Sequence, residues 1–192
     1  MKSKLNEGWV ETVSHRKIYF KNPKEEMFNI NDIAWGLSNI CRYAGQVPTF
    51  YSVATHSVYV AEEVRIFWPS QSIVLRALLH DAVEAYTSDI PSPFKELFPE
   101  VVQMEKTILN VIYHKFKLQD DAVDDYIVSQ ADKKVLLAEK RSLLPGSFTW
   151  NYPLKPSEQK IVPVSPELSN HKFLSAYHKI RQMELSKPLI EG

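Results

Sequence analysis

The stretch SQSIVLRALLHDAVEAY, residues 70–86, decides how the chain is read. Ile73, Leu75, Ala77, Leu78 and Leu79 make it too apolar for a surface element, so the pattern predicts a central helix from about Ser70 to Tyr86. Into that helix the sequence sets His80, Asp81 and Glu84. An ionised carboxylate beside an imidazole in apolar surroundings costs on the order of several kcal/mol unless it is paired or bound to a cation. On a helix, positions 80 and 84 share a face and position 81 lies about 100° round. A divalent cation on His80 and Asp81 would therefore leave Glu84 beside a bound water. A bare His-Asp pair also fits a plainer role, a core histidine satisfied by neighbouring carboxylates.

Outward from this helix the periodicity stays helical. Ile30, Ile33, Ala34, Leu37 and Cys41 predict a helix from Asn29 to about Arg42-Tyr43, with Asn29 or Asn31 as its cap. Ser52 can cap a second helix to about Arg65, on which Val53, Val60 and Val64 form an apolar stripe shared by His56. Pro91 and Pro93 break the chain after the central helix, since each removes a donor and fixes φ. Further helices are expected from about Glu100 to Phe116 and from Asp121 to about Arg141. After a loop marked by Pro145-Gly146 and Pro153, a last helix is expected from Ser165-Pro166-Glu167 through Ile180. The expectation is an all-α, single-domain bundle over residues 29–192, preceded by an irregular arm or short hairpin over residues 1–28.

Lys plus Arg (23) balances Asp plus Glu (23), which argues against a long nucleic acid as partner. Cys41 stands alone, so neither an intramolecular disulfide nor a thiolate zinc cluster can form, and any metal must sit on His and carboxylate ligands. Without a run of about 18 apolar residues or the apolar core of a signal peptide, a cytoplasmic protein free of membranes is expected.

His56 changes the weight given to the His80-Asp81 pair. One helix and a turn separate them, enough for two antiparallel helices to bring both histidines together. Asp132, among small and apolar neighbours on a later helix, is the carboxylate best suited to complete the set, whereas Asp121, Asp124 and Asp125 suit a helix start.

In this order and on helices, His56, His80-Asp81 and Asp132 resemble the HD-domain phosphohydrolase superfamily. The run from Phe28 to Glu84, with Asp32-Ile33-Ala34, Arg42-Tyr43, Gly45, Tyr51-Ser52-Val53-Ala54 and His56-Ser57-Val58, is most similar to phage and bacterial 5′-deoxynucleotidases and phage dATP triphosphohydrolases. Asp89-Ile90-Pro91-Ser92-Pro93-Phe94-Lys95 looks like that family's segment following the central helix, and Glu105 matches an acidic position in the next one.

The resemblance implies one divalent metal, zinc, cobalt, manganese or magnesium, on His56, His80, Asp81 and Asp132, with room for a second or third ion beside the phosphates. It implies that Glu84, and Asp89 through sugar or water contacts, orient the attacking water, that Arg42 and Lys95 bind phosphate, and that Tyr43, Gly45, Gln46 and Pro93 border the nucleoside. The substrate expected is a deoxynucleotide, dATP above all and then dADP or dAMP. A monophosphate-specific 5′-deoxynucleotidase, a cyclic-nucleotide phosphodiesterase and a non-catalytic nucleotide-binding regulator are the alternatives. The setting would be the cytoplasm, the host's if a phage encodes the chain, and a homo-oligomer is compatible with the sequence. Trp35 and Trp150 read as core or interface aromatics, Lys133, Lys134 and Arg141 as structural or rim charges, and His15, His114, His171 and His178 receive no role.

Overall fold

A computed structural model describes residues 8–146, 148, 150 and 152–183, and it is all-α apart from a short hairpin. The hairpin pairs β1 (Trp9–Glu11) with β2 (Lys17–Tyr19), Val10 opposite Ile18. Ile18 is fully buried, and the Ser14 hydroxyl donates to Asp32 at 2.6 Å, so the arm plugs into the helices it precedes.

Helix α1 (Ile30–Asn39) starts where the Asn29 side chain accepts the Asp32 N–H. It ends at Asn39, short of the expected Arg42-Tyr43, because residues 40–42 are extended and bond to the start of the next helix. Arg42 N–H donates to Tyr51 O (2.9 Å) and Val53 N–H to Ile40 O (3.1 Å), and this short bridge turns the Arg42 side chain inward. Tyr43, Ala44 and Gly45 follow at φ 60°, 50° and 76°. Only the glycine adopts such a conformation at no steric cost, so the turn needs an outside hold. The Asp89 carboxylate supplies it by accepting the Tyr43 N–H at 2.8 Å.

Helix α2 (Val53–Phe67), capped by Ser52, runs through the middle of the bundle and packs against α3 (Gln71–Leu79), α7 (Ala122–Leu143) and α8 (Pro166–Gln182). Val53, His56, Val60 and Val64 are all fully buried on it, as the stripe predicts. Between α3 and α7 lie α4 (Glu84–Thr87), α5 (Ser92–Lys95) and α6 (Pro99–Lys115). A trio of buried hydroxyls, Ser52, Thr55 and Ser169, joins the start of α2 to α8 at 2.5–2.9 Å.

The helix expected to run unbroken from Ser70 to Tyr86 is two helices, interrupted at residues 80–83. His80 Nδ1 bonds the Ala77 carbonyl at 2.8 Å, the acceptor that a continuing α-helix would offer to the Asp81 N–H. The turns that follow tighten: Ala82 N–H donates to Leu79 O and Glu84 N–H to Asp81 O, both at 2.9 Å. Gly36 lets α1 lie against the second piece, since a Cβ there would meet Ala85 at 2.8 Å. Among the described residues no helix is long and apolar enough to cross a membrane.

Candidate metal centre and adjoining cleft

His56 from α2, His80 at the end of α3 and Asp81 in the tightened turn converge. His80 Nε2 lies 3.2 Å and His56 Nε2 3.7 Å from Asp81 Oδ2, and the potential ligand atoms all fall within 4.8 Å of one another. Each imidazole is held from behind. Ala77 O can only accept, so His80 carries its proton on Nδ1, and Glu139 Oε1 holds His56 Nδ1 at 2.7 Å in the same way. Both Nε2 atoms are therefore bare in the neutral rings, and both are buried without a hydrogen-bond partner. Two orphaned nitrogens facing a carboxylate are what a metal ligand set leaves when its ion is taken out. His56, His80 and Asp81 form a group that can hold a metal ion.

Asp132, expected as the fourth ligand, meets this group only through His56, with Oδ1 3.1 Å from Nε2 but without hydrogen-bond alignment, and it lies outside the set of mutually close ligand atoms. Burial works against every charge here, yet the pairing outweighs it. The Asp81 carboxylate pushes the His80 imidazole up to about 9, and Asp81 is held far below the usual carboxylate range by His80 and His56. Asp132 is lowered too, through His56 and His80.

The sequence reading missed Glu139. This fully buried carboxylate takes His56 Nδ1 and the Tyr51 hydroxyl (2.8 Å) on Oε1, and the Tyr43 hydroxyl (2.5 Å) on Oε2, which also lies 3.5 Å from Arg42 Nε. His56 and Arg42 hold its pKa at about 2 despite burial. The available signal was its place on α7 two helical turns beyond Asp132, hence on the same face.

Arg42 links the metal group to a cleft of about 610 Å³: its Nη1 reaches Asp81 Oδ2 at 3.4 Å while the residue lines the cleft wall. Tyr43, Asp89, Pro91, Ser92, Pro93, Leu136, Trp150 and Tyr152 complete the lining. Tyr43 and Pro93, expected beside a nucleoside, are both in the lining of this cleft. Gly45 and Gln46 are exposed and not part of that lining; the left-handed turn at residues 43–45 carries the chain away from it, and what Gly45 supplies is backbone freedom. Trp150, read as a core or interface aromatic, instead stands in the cleft with its ring centroid 6.0 Å from that of Tyr43. Trp35 is half exposed on α1 and is not a core residue.

Glu84 is buried, with Oε1 3.4 Å from Lys95 Nζ and Oε2 unpartnered; burial, then Asp81 and Asp89, raise its pKa well above the ordinary value. Lys95 also reaches Glu105 at 2.8 Å, and Glu105 accepts the Thr87 hydroxyl at 3.1 Å. The cation expected to bind phosphate is therefore engaged by two carboxylates. Asp89, expected to act through sugar or water contacts, spends one oxygen on the Tyr43 N–H and lies on the cleft wall. Lys134 is structural, as read: it pairs with the buried Glu63 at 2.7 Å. Asp125 does more than decorate a helix start, accepting from the buried Arg76 at 2.5 Å.

No protein-family model matches the chain. It is 35% identical over 180 residues to the uncharacterized protein YfdR of Escherichia coli (strain K12), a match spanning 92% of this chain and 97% of that protein. An uncharacterized protein of Rhodobacter capsulatus is 30% identical over 119 residues, 59% of this chain and 61% of its own length.

Proposed function

This chain belongs to the same family as Escherichia coli YfdR, and from the chemistry of its site we propose that it is a metal-dependent phosphohydrolase of the HD-domain type acting on deoxynucleotides. One observation carries the reading: the bare, buried Nε2 atoms of His56 and His80 converge on Asp81, and Arg42 ties that group to an aromatic-walled cleft. A divalent cation held by His56, His80 and Asp81, with Asp132 beside them, would polarise a phosphoryl oxygen and acidify a bound water. Zinc, cobalt, manganese and magnesium suit this nitrogen and oxygen set in differing degree, and further ions can accompany the phosphates.

The protein's own groups divide the remaining work. Arg42, charged at any working pH and already turned toward Asp81, neutralises phosphate oxygens at the junction of cleft and metal group. Glu84 offers the unpartnered Oε2 to the attacking water, and its raised pKa suits a group that accepts a proton and returns it to the product. Tyr43, Pro93 and Trp150 present flat or rigid apolar surface to a base and its deoxyribose. Adenine as the favoured base rests on the family resemblance. The place of action is the cytoplasm.

The test is product analysis on protein stripped with chelator and reloaded separately with Mn, Co, Zn or Mg. Chromatography of products from dATP, dADP, dAMP and a cyclic nucleotide is expected to show deoxyadenosine with phosphate or triphosphate release. Orthophosphate from dAMP alone would assign a monophosphate-specific 5′-deoxynucleotidase, and cleavage of the cyclic substrate alone a phosphodiesterase. Binding without turnover under all four metals would leave a nucleotide-binding regulator and end the catalytic reading.

A further inference from the structure

We propose that Glu139 is a positioning residue that couples the metal group to the cleft, holding His56 ready for metal through one carboxylate oxygen and Tyr43 with Arg42 through the other. The cleft half of this inference rests on the phosphohydrolase reading; the metal half does not.

Every group facing Glu139 arrives as a donor. Oε1 receives His56 Nδ1–H and the Tyr51 hydroxyl, and Oε2 receives the Tyr43 hydroxyl and faces Arg42 Nε. A carboxylate has lone pairs for all of them, and no other neutral or charged side chain does. Packing alone would not need this arrangement, because a fully buried position on α7 is filled more cheaply by a leucine or methionine. Three of the four partners belong to the candidate site, and they come from α2 and from the extended bridge and turn at residues 40–43. One side chain thus sets the imidazole that faces the metal and the two residues that face the ligand.

The isosteric change Glu139→Gln exposes the logic. Glutamine has one acceptor oxygen and a donating NH2. With its oxygen on His56, the NH2 faces Arg42, which cannot accept. With its oxygen on Tyr43 and Arg42, the NH2 faces His56, whose proton must move to Nε2, and that is the atom aimed at Asp81. Either orientation breaks one half of the coupling while leaving shape and volume unchanged.

Cobalt(II) titration of the full chain by calorimetry is the primary measurement. Glu139→Gln is expected to keep the helical circular-dichroism signal and to bind cobalt about 10- to 100-fold more weakly, the usual cost of losing such a histidine support. At saturating metal the variant is expected to raise KM for the deoxynucleotide more than it lowers kcat. Cobalt affinity within about twofold of the parent, with only a lowered melting temperature, would overturn the proposal and leave Glu139 a structural residue. If the parent hydrolyses no nucleotide, the calorimetric arm still decides the metal half, so the two failures are distinguishable. Nitrogen-15 NMR of the zinc-loaded parent needs no variant: His56 must carry a hydrogen-bonded proton on Nδ1, and a proton on Nε2 would overturn the proposal.

Discussion

Two clusters of acids meet around the turn at residues 80–83, and their charge is answered differently. On one side Glu84 and Glu105 share Lys95, a cation the chain itself provides. On the other, Asp81 and Asp132 face the Nε2 atoms of His56 and His80, which are bare in neutral rings and have no hydrogen-bond partner. The first cluster carries its own counter-charge, although Glu84 Oε2 is left unpartnered. The second is the group that can hold a metal ion, and a cation from outside, or protons, would answer its charge. Arg42, 3.4 Å from Asp81, lowers the field without filling the space between the histidines. One cluster is balanced from within the chain; the other presents lone pairs that can take up a cation.

The sharpest way to break this contrast is His80→Ala. On the proposed metal site it should abolish turnover and remove the rise in melting temperature expected of the metal-loaded parent. At a metal concentration of a hundred times Kd that rise corresponds to about 2.7 kcal/mol, or about 5–10 °C for a chain of this size. Differential scanning calorimetry with and without cobalt measures it, and an undiminished rise would place the metal elsewhere.

Lys95→Met should do the opposite, leaving metal binding intact while two acids lose their partner. Partial exposure of the amine discounts the loss to about 2 kcal/mol, a drop of about 4–8 °C seen equally with metal and with chelator. A drop confined to the metal-loaded form would mean that Lys95 serves the ligand side.

The smallest effect is on pH dependence. In metal-free protein the His80 pKa is raised to about 9, so its contribution to stability is complete below the unfolded value of about 6.5 and fades as pH rises through about 9. Metal needs the neutral ring, so cobalt affinity should climb over the same interval. Lys95, raised above its own ordinary value, stays charged throughout and adds no pH dependence over this interval. Melting curves of the metal-free parent and of His80→Ala from pH 6 to 10 test this; parallel curves would remove His80 from the account.

Much of the contrast was legible in the residues. The helices beginning at Ile30, Val53, Pro99, Ala122 and Pro166 follow from apolar spacing; the caps read at Asn29 and Ser52 act as such, and Asp121 and Ser165, read only as helix starts, are caps too. His56, His80 and Asp81 were found because ionisable groups inside apolar helices are conspicuous. The break after Leu79 was hidden, since it depends on His80 competing for the Ala77 carbonyl, a choice periodicity cannot register. Glu139 was hidden for a related reason: on a helix rich in charge, the one carboxylate that is fully buried looks like its solvated neighbours until Tyr43 and Tyr51 are known to point at it. Trp150 sits in an irregular segment where spacing carries no direction.

The hydroxyl trio of Ser52, Thr55 and Ser169 bears on how the molecule is made. Every proposed metal ligand has left the ribosome once residue 132 has, yet α2, which carries His56, is covered by α8 and tied to it through Ser169. Contacts of such long sequence separation form late and slow the search for the native state. During synthesis the full set of proposed ligands would therefore precede the roof of the core, and a cation captured early would meet His56 on a helix still open along the face that α8 later covers.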